Sequence, residues 1–181
     1  IDPVLTCATG GTCVVGDIGP AGGKVFFVSP TPINAAPGVS DGGTYLEYAT
    51  TQDTPIADWC DQVRDVPATQ TGVGSGAANT AAIIATCTSG AAKLAADTRI
   101  TAPVTFRDYT DWFVPSKDEL DLIFRFAGSG STAWSSSQSD SGSAWYGYSV
   151  NGDVGSAPKP KQSGGANKLP ARLIRAFSAT P

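Results

Sequence analysis

Apolar positions along the chain mark out alternating β-like and helical stretches. Val25, Phe26, Phe27 and Val28 follow Lys24 as a short β-rich run that Ser29-Pro30 is expected to end. Tyr45, Leu46 and Tyr48 mark a second strand over 44–49. Trp59 and Cys60 sit in a short candidate helix over 58–63. Asn79 is expected to cap a helix carrying Ala81, Ile83, Ile84 and Cys87, and a further helical piece over 91–96 follows Gly90. The clearest pattern lies at 116–128. Ser116 and Glu119 form a capping box, Leu120, Ile123, Phe124 and Ala127 recur at helical spacing, and Gly128 stops the run. A helix over 117–127 is predicted.

The period-two pattern returns over 132–136, with Trp134, and over 144–150, where Trp145 points to one face and Tyr146 and Tyr148 to the other. Asn151-Gly152 is a two-residue turn signal, and Val154 starts a return strand. Residues 155–168 read as a long Gly/Pro/Lys/Ser loop. A closing strand spans 171–177, where the alternation of Leu173 with Arg172 and Ile174 implies one covered face. Clustered glycines and prolines make 1–23, 29–43 and 69–76 irregular. The expected organisation is an N-terminal arm or linker over 1–15 and one domain over 16–181.

Composition narrows the chemistry. The 181 residues include no His and no Met. A Ser-His-Asp triad, a Cys-His dyad and His-ligated zinc are therefore excluded. A chain that starts at Ile1 and lacks Met is expected to be a processed product or a piece of a longer one. Charged residues are 15% of the chain, below the usual quarter. No apolar run approaches the ~20 residues that span a bilayer, so no membrane span is expected. All 16 acidic residues, but only 7 of the 12 basic ones, lie in 1–153. The remaining cations are Lys159, Lys161, Lys168, Arg172 and Arg175, which make a basic segment on an acidic body. Nucleic acid is not an expected partner for such a body.

The four cysteines lack C-x-x-C spacing. Two disulfides are the simplest account, Cys7–Cys13 with Cys60–Cys87 being preferred among three connectivities, against four free buried thiols. Disulfides imply an oxidising compartment.

Gly72-Val73-Gly74-Ser75-Gly76-Ala77 lacks the strand and Lys of a phosphate loop. Ser135-Ser136-Ser137 reads as a polar strand end that bonds a loop. Trp112 and Trp134 read as core. Arg172 and Arg175 suit an anion, or pairing with Asp108, Asp111 or Asp118, which is favoured. Aromatic rings that stack on sugar faces, with polar groups beside them, make Trp145, Tyr146, Tyr148, Asn151, Asp153, Lys159 and Lys161 the candidate ligand-binding set. No metal site, catalytic residue or cofactor is expected.

Five segments in order resemble the bacterial extracellular domain family typified by the C-terminal domain of the Legionella collagen-like adhesin. They are residues 16–28, 111–120 with Asp111-Trp112-Phe113-Val114-Pro115-Ser116, Trp134-Ser135-Ser136-Ser137, Ala144-Trp145, and Arg172-Leu173-Ile174-Arg175-Ala176-Phe177. The layout is similar to that of C-type-lectin-like and formylglycine-generating-enzyme-like domains. The resemblance implies a compact α+β, C-type-lectin-like domain with a twisted, mostly antiparallel sheet, two or three helices and long loops. It implies a secreted or cell-surface adhesion module, not an enzyme, with a glycan or other extracellular polymer as partner and a trimer as assembly. The chain departs from the basic surface of that family, from the late cysteine pair of the enzymes and from the calcium motifs of the lectins. The alternative expectation is a structural subunit of an extracellular filament, sheath or surface layer, in which the acidic body and basic segment pack between copies.

Overall fold

The computed structural model describes residues 5–128, 131–162 and 168–179. These form an α+β fold with three α-helices and eight strands, paired antiparallel throughout the sheets. In chain order they are β1 (Lys24–Ile33), β2 (Gly43–Tyr48), α1 (Gly76–Thr86), α2 (Ala91–Ala96), β3 (Ile100–Thr101), β4 (Asp108–Tyr109), α3 (Lys117–Ala127), β5 (Thr132–Gln138), β6 (Ser143–Val150), β7 (Asp153–Pro160) and β8 (Ile174–Phe177). In place of one sheet there are three, β1-β2-β8, the ribbon β3-β4 and the meander β5-β6-β7. Single bridges tie them together, Phe113 to Ile174 and Trp134 to Ala171. Both expected disulfides, Cys7–Cys13 and Cys60–Cys87, are present. No helix among the described residues is long and apolar enough to cross a membrane.

The extended segment 112–115 and the closing strand divide two cores. Trp112, Val114 and Leu173 join Trp59, Trp134 and the alanines of α2 on one side. Phe113, Ile174 and Ala176 join Phe26, Leu46 and Ile123 on the other. Period-two alternation thus serves two interiors, and β8 is covered on both faces rather than on one. Each buried indole N–H finds a carbonyl. Trp59 donates to Ser135 O at 2.8 Å, Trp112 to Tyr109 O at 3.1 Å and Trp134 to Ala57 O at 2.9 Å. The Cys7–Cys13 loop packs on Val25, Tyr45 and Phe177.

Helix α3 follows its sequence signature, with Ser116 Oγ accepting from Glu119 N–H and Gly128 in the left-handed region at φ 64°. Four other expectations change. Residues 58–63 form a run of bends instead of a helix. Their backbone groups are held from elsewhere, with Trp59 N–H on Lys161 O at 2.9 Å and Asp58 O accepting from Ala91 N–H at 3.0 Å. Asn79 is no cap. It lies buried inside α1 and its amide bonds Gln70 N–H (2.8 Å), Gln70 O (2.7 Å) and Ser136 Oγ (3.2 Å). The strand beginning at Lys24 runs past Pro30 to Ile33, and the one beginning near Val154 runs to Pro160 through the expected loop. Both are edge strands, where a proline need not donate to a neighbour.

Helix α3 covers β6 where Gly147 leaves room. A Cβ there would lie 2.8 Å from Phe124 Cε2 and 2.9 Å from Leu120 Cδ2. Gly147→Ala is expected to destabilise the fold by about 1–3 kcal/mol through overpacking, read as a lower midpoint in urea denaturation.

Candidate ligand-binding cleft

The residues proposed from sequence divide among several environments. Register places Trp145 opposite Pro158, Tyr146 opposite Ala157 and Tyr148 opposite Gly155. Trp145 shares the α3-facing side of β6 with Gly147, and Lys117 Nζ stands 5.7 Å from its ring centroid. Tyr146 and Tyr148 lie on the other face with centroids 5.9 Å apart, and Lys159 Nζ is 5.5 Å above the Tyr146 ring. Asn151 (φ 53°) and Asp153 flank the exposed turn. Lys161 departs from its expected role, being wholly buried, with its ammonium bonded to Arg64 O (2.6 Å), Ser141 O (3.1 Å) and Gln138 Oε1. The structure brings together only Tyr146, Tyr148 and Lys159.

A larger polar recess lies elsewhere, between the Cys7–Cys13 loop and the β3–β4 ribbon. It is an open cleft of about 580 Å³, lined in part by Thr9, Asp41, Thr105, Arg107, Tyr109 and Asp111. Its floor is set by Arg175, buried on β8. Nε and Nη2 of Arg175 each donate at 2.9 Å to the two oxygens of Asp111, and Nη1 donates at 2.7 Å to Glu47 Oε1. The guanidinium carbon is 4.4 Å from the Tyr109 centroid and 5.5 Å from that of Phe177. Glu47 also accepts from Ala21 N–H at 3.2 Å and Gly23 N–H at 3.1 Å, so β2, β8 and the 19–23 loop converge on this one ion group. Asp111 is one of the three partners expected for the arginines, whereas Asp108 pairs with Arg99, Asp118 with Lys117, and Arg172 with Asp53.

Burial pushes the Glu47 carboxyl above its ordinary range, with Arg175 as the chief opposing influence. The Thr101 hydroxyl, then Arg99, hold the Asp108 carboxyl below its ordinary range. Arg107 lies 5.5 Å over the Tyr109 ring. The cleft therefore offers carboxylates, a guanidinium, hydroxyls and aromatic edges to a ligand rich in hydrogen-bonding groups. Beside it, the 102–107 loop holds Phe106 81% exposed at φ 54°, a backbone region bulky residues rarely adopt. Cys60, Asp61 and Cys87 also lie close together, but both sulfurs are spent in the disulfide and offer no thiolate to a metal.

Sequence reasoning missed Asp41, Arg107, Tyr109 and Phe106. The ribbon strands have two residues each, too short for any periodicity to register. Asp41 sat in a Gly/Pro/Asp-rich stretch that read only as loop.

Arg175→Ala would leave two carboxylates without their cation and is expected to cost about 3–5 kcal/mol. A carboxyl whose folded pKa is raised contributes stability below its unfolded value and loses it as pH rises through the folded one. Removing the opposing Arg175 raises Glu47 further. Denaturation of the variant above neutrality and near pH 4.5 (the ordinary carboxyl value) is expected to show the larger loss above neutrality. Comparison with protein-family models, curated proteins and solved structures gives no match.

Proposed function

We propose that the chain is a non-enzymatic, extracellular binding module that takes a glycan or a similarly polar extracellular polymer in the cleft above Arg175. The observation that carries this reading is the composition of that cleft. About 580 Å³ of open space is walled by hydroxyls and carboxylates around the half-buried ring of Tyr109. Such a lining supplies acceptors and donors for sugar hydroxyls beside an aromatic side chain. The two disulfides fit the oxidising surroundings of an exported protein. The adhesin and lectin-like resemblance of the sequence motifs belongs to this same reading.

The second reading, a self-assembling surface subunit, is favoured by the exposed Val104 and Phe106 beside the cleft. Light scattering separates the two, since a monodisperse monomer across salt and pH removes the second.

A glycan array followed by affinity electrophoresis tests the first. Asp41→Asn and Arg107→Ala are each expected to weaken binding about tenfold, the worth of one charged hydrogen bond. Trp145→Ala, on a distant element, is expected to bind as well as the parent chain. Loss of binding through Trp145→Ala alone would move the site to the β6–β7 hairpin, and silence towards every saccharide would overturn the reading.

A further inference from the structure

Lys161 is unusual among the chain's lysines. It sits directly after β7, 0% exposed, with Nζ 4.9 Å from the Trp59 ring centroid. Its nearest polar neighbour is the side-chain amide of Gln138, the last residue of β5, whose Oε1 it contacts closely. That amide is held at both ends. Oε1 accepts from Val66 N–H at 2.6 Å, and Nε2 donates to Asp65 Oδ1 at 2.6 Å. An amine, a polarised carbonyl and a carboxylate at the amide nitrogen are thus gathered where the amine is shut off from water.

We propose that Lys161 and Gln138 join in an intramolecular isopeptide bond. The neutral amine of Lys161 attacks Gln138 Cδ and the Nζ–Cδ bond forms. Negative charge that gathers on Oε1 meets the Val66 N–H, as in an oxyanion hole. The proton released from Nζ passes through Asp65 to Nε2, the Cδ–Nε2 bond breaks and ammonia leaves. Lysine amine and glutamine carboxamide are the only reactants, and no oxidant or cofactor enters. Burial favours the neutral amine and lowers the lysine pKa, while Asp65 and Asp140 oppose that shift. The product would tie β5 to β7 across β6, a covalent brace in the meander.

The carbonyls of Arg64 and Ser141 would equally complete the shell of an unreacted ammonium, so mass decides. The intact, reduced and denatured chain is expected about 17 Da lighter than its sequence mass, the loss of one ammonia. Digestion is expected to yield one branched peptide joining Lys161 to Gln138. Asn151-Gly152 can lose the same mass by closing a succinimide, so a loss mapped there, or a full sequence mass, overturns the proposal. Asp65→Asn, at an exposed position, is expected to fold and to retain mostly the unlinked mass. Complete linkage in that variant would remove Asp65 from the step. This inference is independent of the proposed ligand, and failure of either leaves the other's test intact.

Discussion

The ion group of Glu47, Arg175 and Asp111 is the constraint around which the rest of the molecule is arranged. Burying such charges costs several kcal/mol per ion unless each lone pair and each N–H finds a partner. Here Arg175 reaches Asp111 with two N–H groups and Glu47 with a third, and Glu47 takes two backbone N–H groups from the 19–23 loop. Four segments, the 19–23 loop, β2, the stretch at Asp111 and β8, must therefore arrive together, or a charge is stranded. The same event brings the Cys7–Cys13 loop and the β3–β4 ribbon to either side of the cleft.

Glu119 repeats the device in the other half of the fold. It is the only other glutamate of the chain, and it too is fully buried. Its carboxylate closes the capping box of α3 on Ser116 N–H at 2.7 Å and reaches Gly74 N–H at 2.8 Å and Gly76 at the start of α1. One anion thus serves two helix N-termini, where the backbone presents unpaired N–H groups and a positive dipole end. Close approach explains the glycines beside both carboxylates, because a Cβ at Gly19 or Gly76 would come within 2.3 Å of a carboxylate oxygen. The Gly-rich stretch at 72–76 is read by a buried acid, not by a phosphate.

What the sequence disclosed follows from range. Helix α3 was legible because its cap, its apolar face and its stop all lie within thirteen residues. The Cys7–Cys13 disulfide and the Asn151-Gly152 turn were legible for the same local reason. The Cys60–Cys87 bond, 27 residues apart, was read from the even number of cysteines, and Ser135 to Ser137 from their polarity, although Ser137 bonds Gln70 O, 67 residues away. The bends at 58–63, the true start of α1 and the cleft were not legible. Each depends on partners brought from afar, Lys161 and Ala91 in the first case, Glu119 in the second, and the ribbon with Arg175 in the third. Lys161 was read as a candidate ligand-binding residue, and its burial was not legible because composition records a charge without its surroundings.

Charge distribution shows most plainly what folding altered. The basic segment of the sequence invites a contact between copies, yet the structure turns most of it inward. Arg172 pairs with Asp53, Arg175 with Glu47 and Asp111, and Lys168 with Asp58, while Lys161 is enclosed by carbonyls. Lys159 remains at the surface over Tyr146. The polarity is consumed in closing the fold, so electrostatic complementarity between copies loses most of its source. The sheet edges argue in the same direction. Among the four outer strands of the three-stranded sheets, β1 carries Pro30 and Pro32 and β7 carries Pro158 and Pro160, so neither of these two offers an uninterrupted row of N–H donors. The other two, β5 and β8, are buried along most of their length. Association must then use side-chain surfaces, and the exposed apolar one beside the cleft is the loop carrying Val104 and Phe106.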